Sequence, residues 1–223
     1  MITEIAFILD RSGSMETVRD AAIDGFNDFL RDQQSAPGNV RLTLVLFDHE
    51  IIAVHNAIPI AELLPLSLDT FVPRGSTALL DAIGHTIDGL GQRFANTPEE
   101  QLPGHVIVAI LTDGEENSSC RYTWSDIATR ISHQTDKYQW DFLFLGAGVD
   151  AIATAAKMNI GANNSSLYSA DAVGQRAASA SLSRKIQSSR IVKSGKASPE
   201  QIEEAAKPLQ DILREEDHKR RDQ

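Results

Sequence analysis

Ile5-Ala6-Phe7-Ile8-Leu9-Asp10-Arg11-Ser12-Gly13-Ser14 is the stretch on which the rest of the chain turns. Its five leading apolar residues are too few for a helix and lack the alternation of a half-exposed strand. They fit a strand buried on both faces, the kind found in parallel sheets covered by helices. A second unbroken apolar run, 106–112, has the same character, and 140–145 reads as a third buried strand. Residues 40–47 and 51–58 are β-rich runs separated by Asp48-His49-Glu50, which predicts a hairpin. Residues 166–169 fit a short edge strand. Helical spacing of apolar residues predicts helices over 16–33, 78–94, 150–158, 170–191 and 199–217. Another starts at Thr123-x-x-Asp126, where a hydroxyl and an acid three residues on satisfy free backbone donors. Pro208 should kink or break the last helix. Strands alternating with helices predict a doubly wound α/β fold, mostly parallel and six-stranded, with the hairpin adding an antiparallel edge. In such sheets ligands bind beyond the carboxyl ends of the strands, where the strand order reverses.

The loops at that edge carry hard oxygen donors. Asp10-Arg11-Ser12-Gly13-Ser14 follows the first strand directly, and in a tight turn its alternate side chains converge. Thr112-Asp113-Gly114 ends the second buried run, and Gly75-Ser76-Thr77-Ala78-Leu79-Leu80-Asp81-Ala82-Ile83 leads into the helix expected over 78–94. Two carboxylates and three hydroxyls, without thiolate or imidazole, suit Mg²⁺, Mn²⁺ or Ca²⁺ and not zinc or copper. From average residue usage Asp-x-Ser-x-Ser alone recurs by chance about once in several thousand positions. Its specificity comes from its place after a buried strand and from the two motifs that follow in order. Read singly, the first motif is a helix-capping turn and Asp113 a turn aspartate before glycine.

Taken together, these three motifs resemble a von Willebrand factor type A domain bearing a metal-ion-dependent adhesion site. The likeness covers roughly residues 3–170, with the helix to about 191. It implies that Asp10, Ser12, Ser14, Thr77 and Asp113 form the protein shell of a divalent cation, Mg²⁺ (or Mn²⁺ or Ca²⁺), some directly and some through water. It implies strand order 3-2-1-4-5-6, with strand 3 the antiparallel edge, and one open coordination position filled by an acidic side chain of a partner protein. The expected division is a domain over 1–191, then a linker and helical tail over 192–223. The expected function is a non-enzymatic, intracellular, metal-dependent protein-binding module. A phosphohydrolase or phosphotransferase using Asp10 is the competing class. Against it, Ser12 stands where a general acid is wanted. No lysine follows at a strand end; Lys137 and Lys157 fall on helices. A scaffold binding through its tail is a third reading.

Composition narrows the field further. Of 223 residues, 42% are apolar and 23% charged, the profile of a folded domain. With 21 Lys and Arg against 31 Asp and Glu, the formal charge of −10 argues against nucleic acid as the partner. The charge is uneven: residues 1–170 carry −12, 171–198 carry +5 and 199–223 carry −3. The basic stretch reads as a solvated helix face, or else as a docking surface for an acidic partner or for nucleic acid. The lone cysteine, Cys120, excludes an internal disulfide and a thiolate metal site. No apolar run reaches the roughly 18 residues that cross a bilayer. Met1-Ile2-Thr3-Glu4-Ile5 lacks the basic flank of a signal peptide, so a reducing, cytoplasmic setting without membrane contact is expected.

Weaker features complete the reading. Asp48, Glu50, Glu115, Glu116 and Asn117 are expected to be solvated loop groups before a second acidic site. The histidines, His49, His55, His85, His105, His133 and His218, have no ligand spacing and are expected at the surface or at strand edges. Gly146-Ala147-Gly148 lacks the third glycine of a dinucleotide loop and reads as a tight turn.

Overall fold

The leading apolar run becomes strand β1, Ile2–Asp10, in a computed structural model that describes residues 1–148 and 150–222. Asn39–Phe47 and Ile51–Pro59 are β2 and β3, the expected hairpin, followed by β4 (His105–Thr112), β5 (Asp141–Gly146) and β6 (Ser165–Leu167). They form one six-stranded sheet in the order β3-β2-β1-β4-β5-β6. Only the β2–β3 pairing is antiparallel, so β3 is the antiparallel edge that the hairpin predicts. The order reverses at β1 and β4, and the carboxyl ends of those two strands stand side by side.

Helices α1 (Arg19–Ser35) and α5 (Ala172–Lys193) cover one face of the sheet. Helices α2 (Leu79–Ala95), α3 (Trp124–Tyr138) and α4 (Ala151–Lys157) cover the other. The alternation of β1 splits the core accordingly. Ile5, Phe7 and Leu9 pack with Phe26, Phe29, Leu44 and Leu182, whereas Ala6 and Ile8 pack with Ile83, Val108, Ile110 and Ile131. With both faces buried, the continuous apolar runs are accounted for.

Three local features differ from expectation. The helix expected from residue 16 begins as a 3₁₀ turn over Gly13–Val18 and becomes α-helical only at Arg19. Met15 N–H donates to Ser12 O at 3.0 Å, which tightens the turn that carries the hydroxyls. The short edge strand lies at 165–167 and not 166–169, paired through Phe144 and Ser165. The helical segment expected over 199–217 extends to 221, and it breaks at Pro208, as that proline predicts, into α6 (Pro199–Ala206) and α7 (Leu209–Arg221).

Helix α5, which carries most of the basic stretch 171–198, is packed between α1 and α7. Arg184, Lys185 and Arg190 face partners within the molecule, whereas Lys193 and Lys196 are exposed. Lys185 Nζ donates to the carbonyls of Ala205 and Lys207 at 2.7 and 2.6 Å, closing the open end of α6. Arg184 pairs with Glu204 and Glu215, and Arg190 donates to Gln33 Oε1 at 2.6 Å and to Pro37 O at 2.9 Å. The acidic partner of this segment is the chain's own tail. Leu209, Ile212 and Leu213 of α7 are buried, and Leu209 and Leu213 join the same core cluster as Phe7.

Candidate metal centre

Sheet register sets the first two groups of the site. β1 and β4 pair in parallel from Thr3 with His105 to Leu9 with Leu111, so Asp10 and Thr112 emerge side by side. Asp10 is fully buried; its Oδ2 accepts the Thr112 hydroxyl at 2.5 Å and its Oδ1 accepts Ser12 N–H at 2.7 Å. The latter bond bends the chain so that Ser12 and Ser14 fall on one side, their hydroxyl oxygens 3.1 Å apart. Ser14 Oγ in turn donates to Asp113 Oδ1 at 2.8 Å. Carboxylate, hydroxyl, hydroxyl and carboxylate thus lie in sequence across the ends of β1 and β4.

Thr77 completes the set from the far side. A Cβ built on Gly114 would lie 2.9 Å from Thr77 Oγ1 and 3.7 Å from Asp10 Oδ2, so both oxygens face one small space that only glycine leaves open. Thr77, not its neighbour Ser76, is the buried member of that pair, with its N–H donating to Asn117 Oδ1 at 2.9 Å. All five predicted residues are therefore brought to one edge of the sheet.

The electrostatics of this edge favour a cation. Burial pushes the Asp10 carboxyl up to about 6, against the opposing bonds from Thr112 and Ser12. Burial also raises Asp113, opposed by the Ser14 hydroxyl. Among the described residues no cationic side chain offsets either group: Arg11, next in sequence to Asp10, instead turns to Asp48, its Nε 3.1 Å from Asp48 Oδ2. Two partly desolvated carboxylates with neutral hydroxyls between them are a donor set that a hard dication fits. Among the described residues no group of three or more His, Cys, Asp or Glu side chains is placed to hold a metal. This set has only two such members and relies on hydroxyls for the rest.

The expected solvated loop groups divide. Glu50 and Glu115 are exposed, but Asp48 is fully buried. Besides Arg11, Asp48 Oδ2 accepts Arg74 Nε at 3.0 Å, and Asp48 O accepts Ala78 N–H at 2.9 Å. It ties the 10–14 turn to the segment that carries Thr77. Gly75 contributes a positive φ of 66° and accepts Gly13 N–H at 3.1 Å. Glu116 accepts the N–H groups of Leu80, Ser118 and Ser119, and is not part of a second acidic site. His105 also departs from expectation: it is buried on β4, with Nε2 2.7 Å from Asp141 Oδ2.

Sequence reasoning missed Thr112, Asn117 and Asp81 as supporting residues. Asp81 is buried at the start of α2 and accepts the N–H groups of Cys120, Arg121 and Tyr122 at 2.9–3.0 Å, pinning the loop that follows Asp113. Its place in the Thr-Ala-Leu-x-Asp run was the available signal. Its partners, about 40 residues away, were not visible from spacing.

No protein-family model matches the chain, and no curated protein matches it in sequence. Solved structures do match. They include a variant of the PilB minor pilin from Streptococcus sanguinis (TM-score 0.55, 13% identity, covering 89% of this chain and 64% of that one). Others are von Willebrand factor type A from Catenulispora acidiphila (0.52, 16%, 83% and 42%) and the ArnB paralog VWA2 from Sulfolobus acidocaldarius (0.51, 15%, 84% and 44%). The chain spans about two fifths to two thirds of the length of these proteins. At such identities the likeness is one of fold. With its β3-β2-β1-β4-β5-β6 sheet and helices on both faces, the chain has the fold of a von Willebrand factor type A domain.

Proposed function

We propose that the protein is a non-enzymatic, metal-dependent protein-binding module. Asp10, Ser12, Ser14, Thr77 and Asp113 would hold one divalent cation, Mg²⁺ (or Mn²⁺ or Ca²⁺), which accepts an Asp or Glu side chain from a protein partner. The observation that carries the reading is the run of contacts from Asp10 through Ser12 and Ser14 to Asp113, faced by the Thr77 hydroxyl across Gly114. Two carboxylates bring a dication close to neutrality, and hydroxyl donors add no further charge. A cation so held stays electrophilic toward a third carboxylate. It also reverses the sign of the field at one point of a domain that otherwise repels acids, since residues 1–170 carry −12.

Both oxygens of Asp10 are engaged by Ser12 and Thr112, an arrangement suited to holding a ligand position and not to attacking a phosphate. We take residues 1–191 as the ligand-binding domain and 192–223 as the linker and tail that brace it. Its single cysteine fits a reducing compartment, and the cytoplasm is the proposed setting. Among the described residues no helix is long and apolar enough to cross a membrane.

Calorimetric titration with Mg²⁺ and Mn²⁺ tests the reading. Binding is expected in the wild type and absent in Asp10→Ala, with far-UV circular dichroism of the two proteins compared to check that the variant folds. Undiminished affinity in that variant overturns the metal assignment. Metal-dependent hydrolysis of a generic phosphate ester that vanishes in Asp10→Ala would instead establish an enzyme.

A further inference from the structure

Beside the centre lies a crevice of about 330 Å³ between the 3₁₀ turn and the start of α5, lined by Ser14, Thr17, Asp113, Tyr168, Ala170 and Gln175. Two of these, Ser14 and Asp113, also belong to the proposed metal shell, so whatever enters the crevice lies next to whatever sits on the cation. At its inner wall Gln175 is fully buried, and among the described residues neither its Oε1 nor its Nε2 has a hydrogen-bond partner. A carboxamide offers two donors and an acceptor. Leaving such a group buried and unpaired is unfavourable, and an apolar residue of the same length would not incur that cost. Buried groups of this kind are rare in folded proteins and call for a specific use.

We propose that this crevice is a second anchor for the partner, in which the Gln175 carboxamide receives the peptide group that flanks the metal-bound acidic residue. The inference rests on the metal reading above. Charge favours a neutral occupant, because Gln175 is uncharged and Asp113 beside it repels a second carboxylate. Size favours a small one: about 330 Å³ is at the low end of ligand pockets, which run from roughly 300 to 1,000 Å³. One residue with its peptide link fits within that space. Shared walls require the occupant to be close in covalent structure to the carboxylate on the cation. A peptide group adjoining that acidic residue meets all three conditions. The partner is then recognised by its main chain as well as by its acid, so a free carboxylic acid is a poorer ligand than the same acid within a polypeptide.

The test uses the full chain loaded with Mn²⁺ and two probes, acetate and the doubly capped aspartate N-acetyl-aspartyl-N′-methylamide. The capped aspartate is expected to bind about fivefold more tightly than acetate, the worth of roughly one net hydrogen bond. In Gln175→Met that difference disappears, while affinities for acetate and Mn²⁺ are unchanged and the melting temperature is no lower than that of the wild type. Gln175→Leu repeats the comparison if the methionine variant does not fold. Equal binding of the two probes by the wild type overturns the inference, as does a preference that persists in the variants. A marked fall in melting temperature in both variants also overturns it, because the amide would then be serving the fold. Failure of the wild type to bind Mn²⁺ removes the metal reading itself, whereas Mn²⁺ binding without the amide preference removes only this inference.

Discussion

At Gly114 the chain passes so close to the Thr77 hydroxyl that one added methyl group would lie 2.9 Å from it, with Asp10 Oδ2 only 3.7 Å away. That space is the test of the centre at the scale of a single residue. Gly114→Ala leaves every proposed ligand in place and needs no left-handed backbone, since Gly114 is not among the glycines with positive φ. Its effect is therefore steric. Changes around metal ligands typically cost 10–100-fold in affinity, and calorimetry with Mn²⁺ is expected to show a loss of about tenfold with little change in melting temperature. An unaltered affinity would mean that the cation, if bound, does not use the Thr77 side of the site. Thr112 acts at the same scale from the opposite side, through its 2.5 Å bond to Asp10 Oδ2. Thr112→Val removes that bond while keeping the shape of the side chain. The same titration is expected to show weaker Mn²⁺ binding, again by at least about tenfold.

The elements at the site are held by carboxylates that are not proposed ligands. Asp81 anchors the loop after Asp113 to the first turn of α2. Burial alone would raise its carboxyl, but the N–H groups of Cys120, Arg121 and Tyr122 outweigh that and hold it below the usual carboxylate range. The sign of its pH dependence follows. A carboxylate whose pKa is depressed by folding adds stability above its unfolded value, about 4, and loses that contribution as pH falls through the lower folded value. Asp81→Asn presents an amide N–H₂ to backbone donors and is expected to cost about 2 kcal/mol at pH 6, measured by urea unfolding. The gap between wild type and variant should narrow below about pH 4, where the wild-type carboxylate also takes up a proton. A gap that stays constant down to pH 2 would show that the charge of Asp81 is not what holds the loop. Asp48 serves the neighbouring junction, its carboxylate facing Arg11 and Arg74 and its main-chain carbonyl accepting Ala78 N–H.

For the whole molecule, the tail is the decisive element. Removing residues 195–223 takes away Leu209, Ile212 and Leu213 and leaves Arg184 and Lys185 of α5 without their acceptors. Burying three such side chains is worth on the order of 5 kcal/mol, a large part of the stability of a domain this size. The shortened chain is expected to unfold at much lower urea or to aggregate through the exposed face of α5. If it keeps the wild-type midpoint, the tail is an accessory and 1–191 is an autonomous unit. Because α5 also carries Gln175, bracing of this helix by α6 and α7 links the tail mechanically to the crevice beside the centre.

The strands and the antiparallel edge could be read from the chain because continuous apolar runs, a hairpin and strong turn residues are local signals, set by neighbours within a few positions; the strand order came only from the resemblance to a von Willebrand factor type A domain. The five candidate ligands were legible for the same reason: each lies just beyond a buried strand or at the head of a helix, where a doubly wound sheet gathers its loops. The contacts among them, and the roles of Thr112, Asp81, Asp48, His105 and Gln175, were not, because their partners come from strands and helices remote in sequence. The basic segment shows the limit most clearly. Its local charge of +5 looks like a surface when counted along the chain, yet Arg184, Lys185 and Arg190 face acids and carbonyls that only folding brings near. Periodicity carries which residues are apolar and where the backbone turns; the pairing of buried polar groups depends on distances that exist only after the chain has closed on itself.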